Sequence, residues 1–146
     1  MTEPATPPSR PSFLERWLPA AAAIACLILT VRIWQVIGRD QPMWPLPAAY
    51  LLEVLALAAA AGLTSALGMA VGALVTWIAV GAIAAFSVLA AFSVGMLYAP
   101  ILLLLLVGGL LAAWRRRRRI PVFLAGAVVA ALLEAGIILG VARLLS

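Results

Sequence analysis

Three side chains in this sequence carry charge where charge is costly: Arg32, Glu53 and Glu134 each fall inside a long apolar run. A charged residue at the centre of a membrane costs about 2.5–3.5 kcal/mol on insertion scales, so each needs a partner, a proton or a route to water. Arg32 and Glu53 flank the turn-forming stretch Gly38-Arg39-Asp40-Gln41-Pro42-Met43-Trp44-Pro45. Arg32 stands about five residues, roughly 8 Å of helix, before the end of its run, and Glu53 a similar distance into the next. Antiparallel neighbours joined by this turn would hold the two at one depth, and we expect an ion pair. Gln35 and Tyr50, three residues away on the same faces, would satisfy the remaining hydrogen-bonding groups. The first reading of the pair is a clasp that sets the register of a helical hairpin. The second is part of an outward-facing polar vestibule, and Arg32 can also snorkel to the interface.

Glu134 is more isolated, about 13 residues into the last apolar run and near mid-membrane. Ala127, Ala130 and Ala131 share its face at helical spacing, which lets another helix approach closely. A carboxyl so placed is either paired, with Arg32 for example, or protonated. An intramembrane carboxylate is a functional-site hypothesis by default. Glu134 is therefore the best single candidate for a working residue, as a proton or ion site. The simpler reading makes it a hydrogen-bonding link between helices.

Other chemistry is sparse. The chain has no histidine and one cysteine, Cys26, so the commonest general base and an intramolecular disulfide are both missing. Ala23-Ile24-Ala25-Cys26 is similar to a lipoprotein cleavage site, but Leu27-Ile28-Leu29 continues the apolar run where a processed lipoprotein would turn polar. Asp40, the only aspartate, lies in the turn beside Arg39. The sequence holds no metal-ligand cluster, no nucleophile beside a base and no glycine loop to cradle phosphate. We expect no enzyme, no cofactor and no metal.

The elements that must position these residues follow from composition. With 66% hydrophobic and 10% charged residues, the 146-residue chain cannot be an ordinary soluble domain, where about a quarter of residues are charged. It reads as an all-α, polytopic bundle of transmembrane helices. Residues 1–12 carry four prolines among polar residues and read as a disordered tail, and Phe13–Trp17 as an interfacial lead-in. The first span runs over about 18–37. From Leu46 to Trp114 the one charge is Glu53; this block of about 69 residues makes roughly 100 Å of helix, enough for three crossings. Breaks near Gly62–Gly68 and Ser93–Pro100 divide it into spans of about 47–66, 69–91 and 97–114. A final span covers about 121–142. The total is five, or four if the uncharged break near Gly62–Gly68 fails. Gly68/Gly72 and Gly136/Gly140 have the spacing of close helix contacts, read first as packing within the monomer and second as dimerisation.

The whole net charge of +5 sits in Arg115, Arg116, Arg117, Arg118 and Arg119, since arginines and acidic residues balance elsewhere. Short arginine-rich loops stay cytoplasmic, which puts the run and the N-terminus inside and the C-terminus outside. Trp17 and Trp114 then fall at the inner interface and Trp44, Phe92 and Tyr98 at the outer. The run would touch anionic lipid headgroups, at about 1 kcal/mol for each arginine. A nucleic acid needs more surface than so short a turn presents. All ten basic residues are arginine, which fits GC-rich coding and a bacterial inner-membrane protein.

The stretch Phe92-Ser93-Val94-Gly95-Met96-Leu97-Tyr98-Ala99-Pro100, followed by a leucine-rich span ending in arginines, resembles a pattern in small polytopic bacterial membrane proteins. The resemblance covers about a third of the chain. It implies outer placement of that turn and no activity. Minimal loops and few intramembrane polar residues favour a non-catalytic accessory, assembly or structural component, with a membrane-protein partner or a homo-oligomer. The alternative is a small oligomeric transporter or channel using Glu134.

Overall fold

Within lipid every backbone amide and carbonyl needs an internal partner, and a helix supplies it inside one segment. The computed structural model describes residues 12–39, 46–90 and 94–145, and every element in them is helical. The helices are α1 (Phe13–Ile37), α2 (Leu46–Ala66), α3 (Gly72–Leu89), α4 (Ala99–Arg115) and α5 (Ile120–Leu145). Short 3₁₀ turns, Gly95–Tyr98 and Arg117–Arg119, lead into α4 and α5. Five helical segments are long and apolar enough to cross a membrane, so the five-span reading holds over the four-span one. The chain is a multi-pass membrane protein. Most of the expected tail, together with Asp40, Trp44, Phe92 and Ser93, lies outside the described residues.

Local signals explain where the helices begin and end. The Ser12 side chain accepts from the Glu15 amide at 3.3 Å, and the Glu15 carboxylate accepts from the Ser12 amide at 3.3 Å. This capping box starts α1 at Phe13, so the expected lead-in is its first turn. The break within Gly62–Gly68 falls where the expected span over 47–66 ends, with α2 stopping at Ala66, but α3 begins at Gly72 and not at 69, so the break covers 67–71. Gly68, at φ 67°, adopts the left-handed conformation, its amide bonding the Ser65 carbonyl and the Met69 amide the Thr64 carbonyl. That is a Schellman ending.

Contacts join α1 to α2, α2 to α3, α3 to α4 and α4 back to α1, so four helices close a ring. Helix α5 stands outside this ring and packs on α3. The two approach most closely where Gly81 meets the Ala127 carbonyl; a Cβ at Gly81 would overlap it. Inside the ring, the Trp77 indole donates to the Gly109 carbonyl at 3.1 Å. Tyr98, expected at an interface, is instead fully buried. Its hydroxyl lies 3.1 Å from that of Thr30, and its ring meets Phe86 edge-on at 5.5 Å. These partners remove the need for a wet end to the tyrosine. Gly136 and Gly140 also depart from expectation, since a side chain at either would meet nothing within 4 Å. Their face of α5 is open, not packed within the monomer.

Candidate functional site

Polar side chains gather at two levels: the end bearing the arginine run and the start of α1, here the arginine end, and the half of the bundle towards the opposite, far end. In the far half, Ala127 and Glu134 lie two turns apart on the face of α5 that meets α3. This orientation leaves Glu134 only 3% exposed. On α2, the Glu53 carboxyl lies within hydrogen-bonding reach of Glu134, and Tyr50 is near enough to feel the charge of both. As ionised carboxylates the two could only accept hydrogen bonds. Oε1 of Glu134 accordingly has no partner and is buried. One proton placed on either group would turn the contact into a hydrogen bond.

The ion pair expected between Arg32 and Glu53 does not form. Arg32 is exposed on α1, beside the equally exposed Gln35, and bonds to no described residue. Matching depth along two antiparallel helices does not bring two side chains together, because the rotation of each helix is still open. The packing turns Glu53 towards α5 and Arg32 out of the ring. Glu134 therefore meets a second carboxyl where a cation had been one of its two expected partners.

At the arginine end the polar groups are paired. The Schellman ending leaves the last carbonyl of α2, that of Ala66, for another donor, and Nη2 of Arg16 reaches it at 2.9 Å. The Ala70 carbonyl in the following turn accepts from Nη1 of Arg116 at 2.8 Å. Arg115 pairs with Glu15 at 3.4 Å, and Arg117 lies over the Trp114 ring, 4.9 Å from its centroid. Beneath them the Thr76 hydroxyl donates to the Gly72 carbonyl at 2.9 Å, which leaves Ser65 to donate to Thr76 at 3.2 Å. Arg119 is exposed; the Arg118 side chain lies outside the described part of the chain. The run is thus divided, with Arg115 and Arg116 binding within the protein. In the sequence Arg16 counted only as a charge consistent with a cytoplasmic N-terminus, not as a donor to this turn. The signal that could have found it was Leu67-Gly68, a helix stop with carbonyls to satisfy and no donor nearby in sequence.

Comparison with family models, with curated proteins and with solved structures finds no match. Fold and geometry define the class: a five-helix multi-pass membrane protein with a carboxyl pair in its far half, Glu134 buried and Glu53 half-buried, and an arginine-bound turn at the other end. No group of three or more potential metal ligands occurs among the described residues.

Proposed function

We propose that this protein is a non-catalytic component of a bacterial inner-membrane complex, with its N-terminus and arginine run cytoplasmic and its C-terminus outside. Charge supports the orientation, because Arg16 and the run gather at one end. The observation that carries the functional reading is Arg32. Glu53 is engaged with Glu134, so the guanidinium of Arg32 sits on an exposed helix face about 8 Å from the end of α1 with no acidic partner among the described residues. A carboxylate on a partner protein's helix would complete it. The test is the native mass of a tagged copy released from its own membrane in mild detergent. Co-migration with other proteins in fixed ratio, reduced by Arg32→Gln, supports the reading. Migration alone as a closed homo-oligomer, with or without the substitution, removes it.

A second reading, a small oligomeric transporter, draws on the carboxyl pair. Two carboxyls sharing one proton inside a membrane form a site that can load and unload it. Glu134→Gln separates the two readings. It should leave assembly intact in a complex subunit, since the amide still donates and accepts, but abolish a proton-coupled flux in a transporter.

A further inference from the structure

The paired groups at the arginine end border an open-sided cavity at the mouth of the four-helix ring. The guanidiniums of Arg16 and Arg116 both line it, one from α1 and one from the turn after α4. A guanidinium has five N–H donors in a planar fork. Here one on each is used, by the carbonyls of Ala66 and Ala70. Those bonds hold side chains that line the cavity and leave each guanidinium with further donors. Glu15 also lies on the wall, but its Oε1 is paired with Arg115 and its Oε2 accepts from the Ser12 amide. Helix α3 begins on the same wall with Gly72 and Ala73 and has no side-chain cap, so its partial positive charge adds to the field.

We propose that this cavity binds a phosphate group, held between the forks of Arg16 and Arg116. Two forks on different elements suit a group with several oxygens on different sides, and guanidinium matches phosphate bidentately where a point charge would not. Exposed Trp17 and Trp114 mark this end as the headgroup level. The phosphate is therefore that of an anionic lipid headgroup or a free phosphate at the membrane surface. The site is independent of whether the protein is a subunit or a transporter.

The experiment uses the full chain in nanodiscs of phosphatidylcholine containing a minority of phosphatidylglycerol, with native mass spectrometry counting retained lipid. A parallel arm measures thermal unfolding in inorganic phosphate against chloride at equal ionic strength. Selective retention of one phosphatidylglycerol identifies a headgroup; stabilisation by inorganic phosphate without lipid preference identifies a free anion. In either case Arg16→Gln and Arg116→Gln should weaken binding about tenfold or more, and Arg119→Gln should not. Because Arg16 and Arg116 also hold the α2–α3 turn, Ala112→Leu serves as a second variant that fills the cavity and leaves both guanidiniums in place. It should abolish binding without lowering stability. No binding of either probe, an equal loss in Arg119→Gln, or undiminished binding in Ala112→Leu would overturn the proposal.

Discussion

Arg16 and Glu134 both carry a charged group on a spanning helix, and the bundle completes one and leaves the other incomplete. Arg16 lies near a helix end, and its long side chain reaches across to a carbonyl of α2. Around it every charge on the cavity wall has at least one partner. Glu134 lies mid-helix on a short side chain, which can meet only what the neighbouring helices set at its level, and that is another carboxyl. Side-chain length and distance from the helix end make the difference. A region that closes itself is a structural joint. A region that needs a proton from outside is where a function or a partner can act.

The comparison breaks most completely through Gly81. Gly81→Leu would drive a side chain into the Ala127 carbonyl, and α5 has its main packing on α3. We expect a loss of about 3 kcal/mol or more, read as a fall in resistance to denaturing detergent, because an overpacked close approach cannot relax. Cross-linking between cysteines placed on α2 and α5 should fall with it, while hydrogen exchange in the α2–α3 turn stays slow. If the turn opens equally, the two regions are not separable.

Next in size is Arg16→Gln, which frees the Ala66 carbonyl at the end of α2. The expected cost is about 1–2 kcal/mol, that of a half-buried acceptor losing a charged donor. Faster exchange confined to Leu67–Val71 would sharpen the assignment of Arg16 as the joint. Glu134→Gln should run the other way: near-neutral or stabilising by up to about 1 kcal/mol, because the amide offers Glu53 a donor without needing a proton. Infrared spectroscopy should show a protonated carboxyl band that this substitution removes. A destabilised variant with the band intact would mean that the pair carries no shared proton. Smallest is Arg115→Gln, expected to cost under about 1 kcal/mol, since its pairing with Glu15 is partly exposed and screened by salt.

How much of this was legible varies with the range of the physics involved. Glu53 and Glu134 stood out at once because charge in hydrocarbon is costly wherever the chain goes. The assignment of partners failed because Arg32, Glu53 and Glu134 sit on three helices, and helical periodicity says which residues share a face without saying which face turns inward. Tyr98 was misplaced for a related reason: its position at the start of a span fitted an interface, but Thr30, far away in sequence, gives its hydroxyl a buried partner. At the turn, Gly68 was visible as a break, yet the donors that stabilise it come from Arg16 and Arg116, each about 50 residues away on either side in sequence.

By itself the sequence determined four or five apolar crossings, the concentration of positive charge at one point and the short roster of residues that membrane burial makes expensive. Those follow from hydropathy and length, which are local sums along the chain. Only the tertiary structure decided that four helices close a ring with α5 outside it, that Glu134 meets Glu53, and that Arg32 faces away from both. These depend on helix rotation and on side-chain reach between distant segments, which packing at contacts such as Gly81 against Ala127 selects.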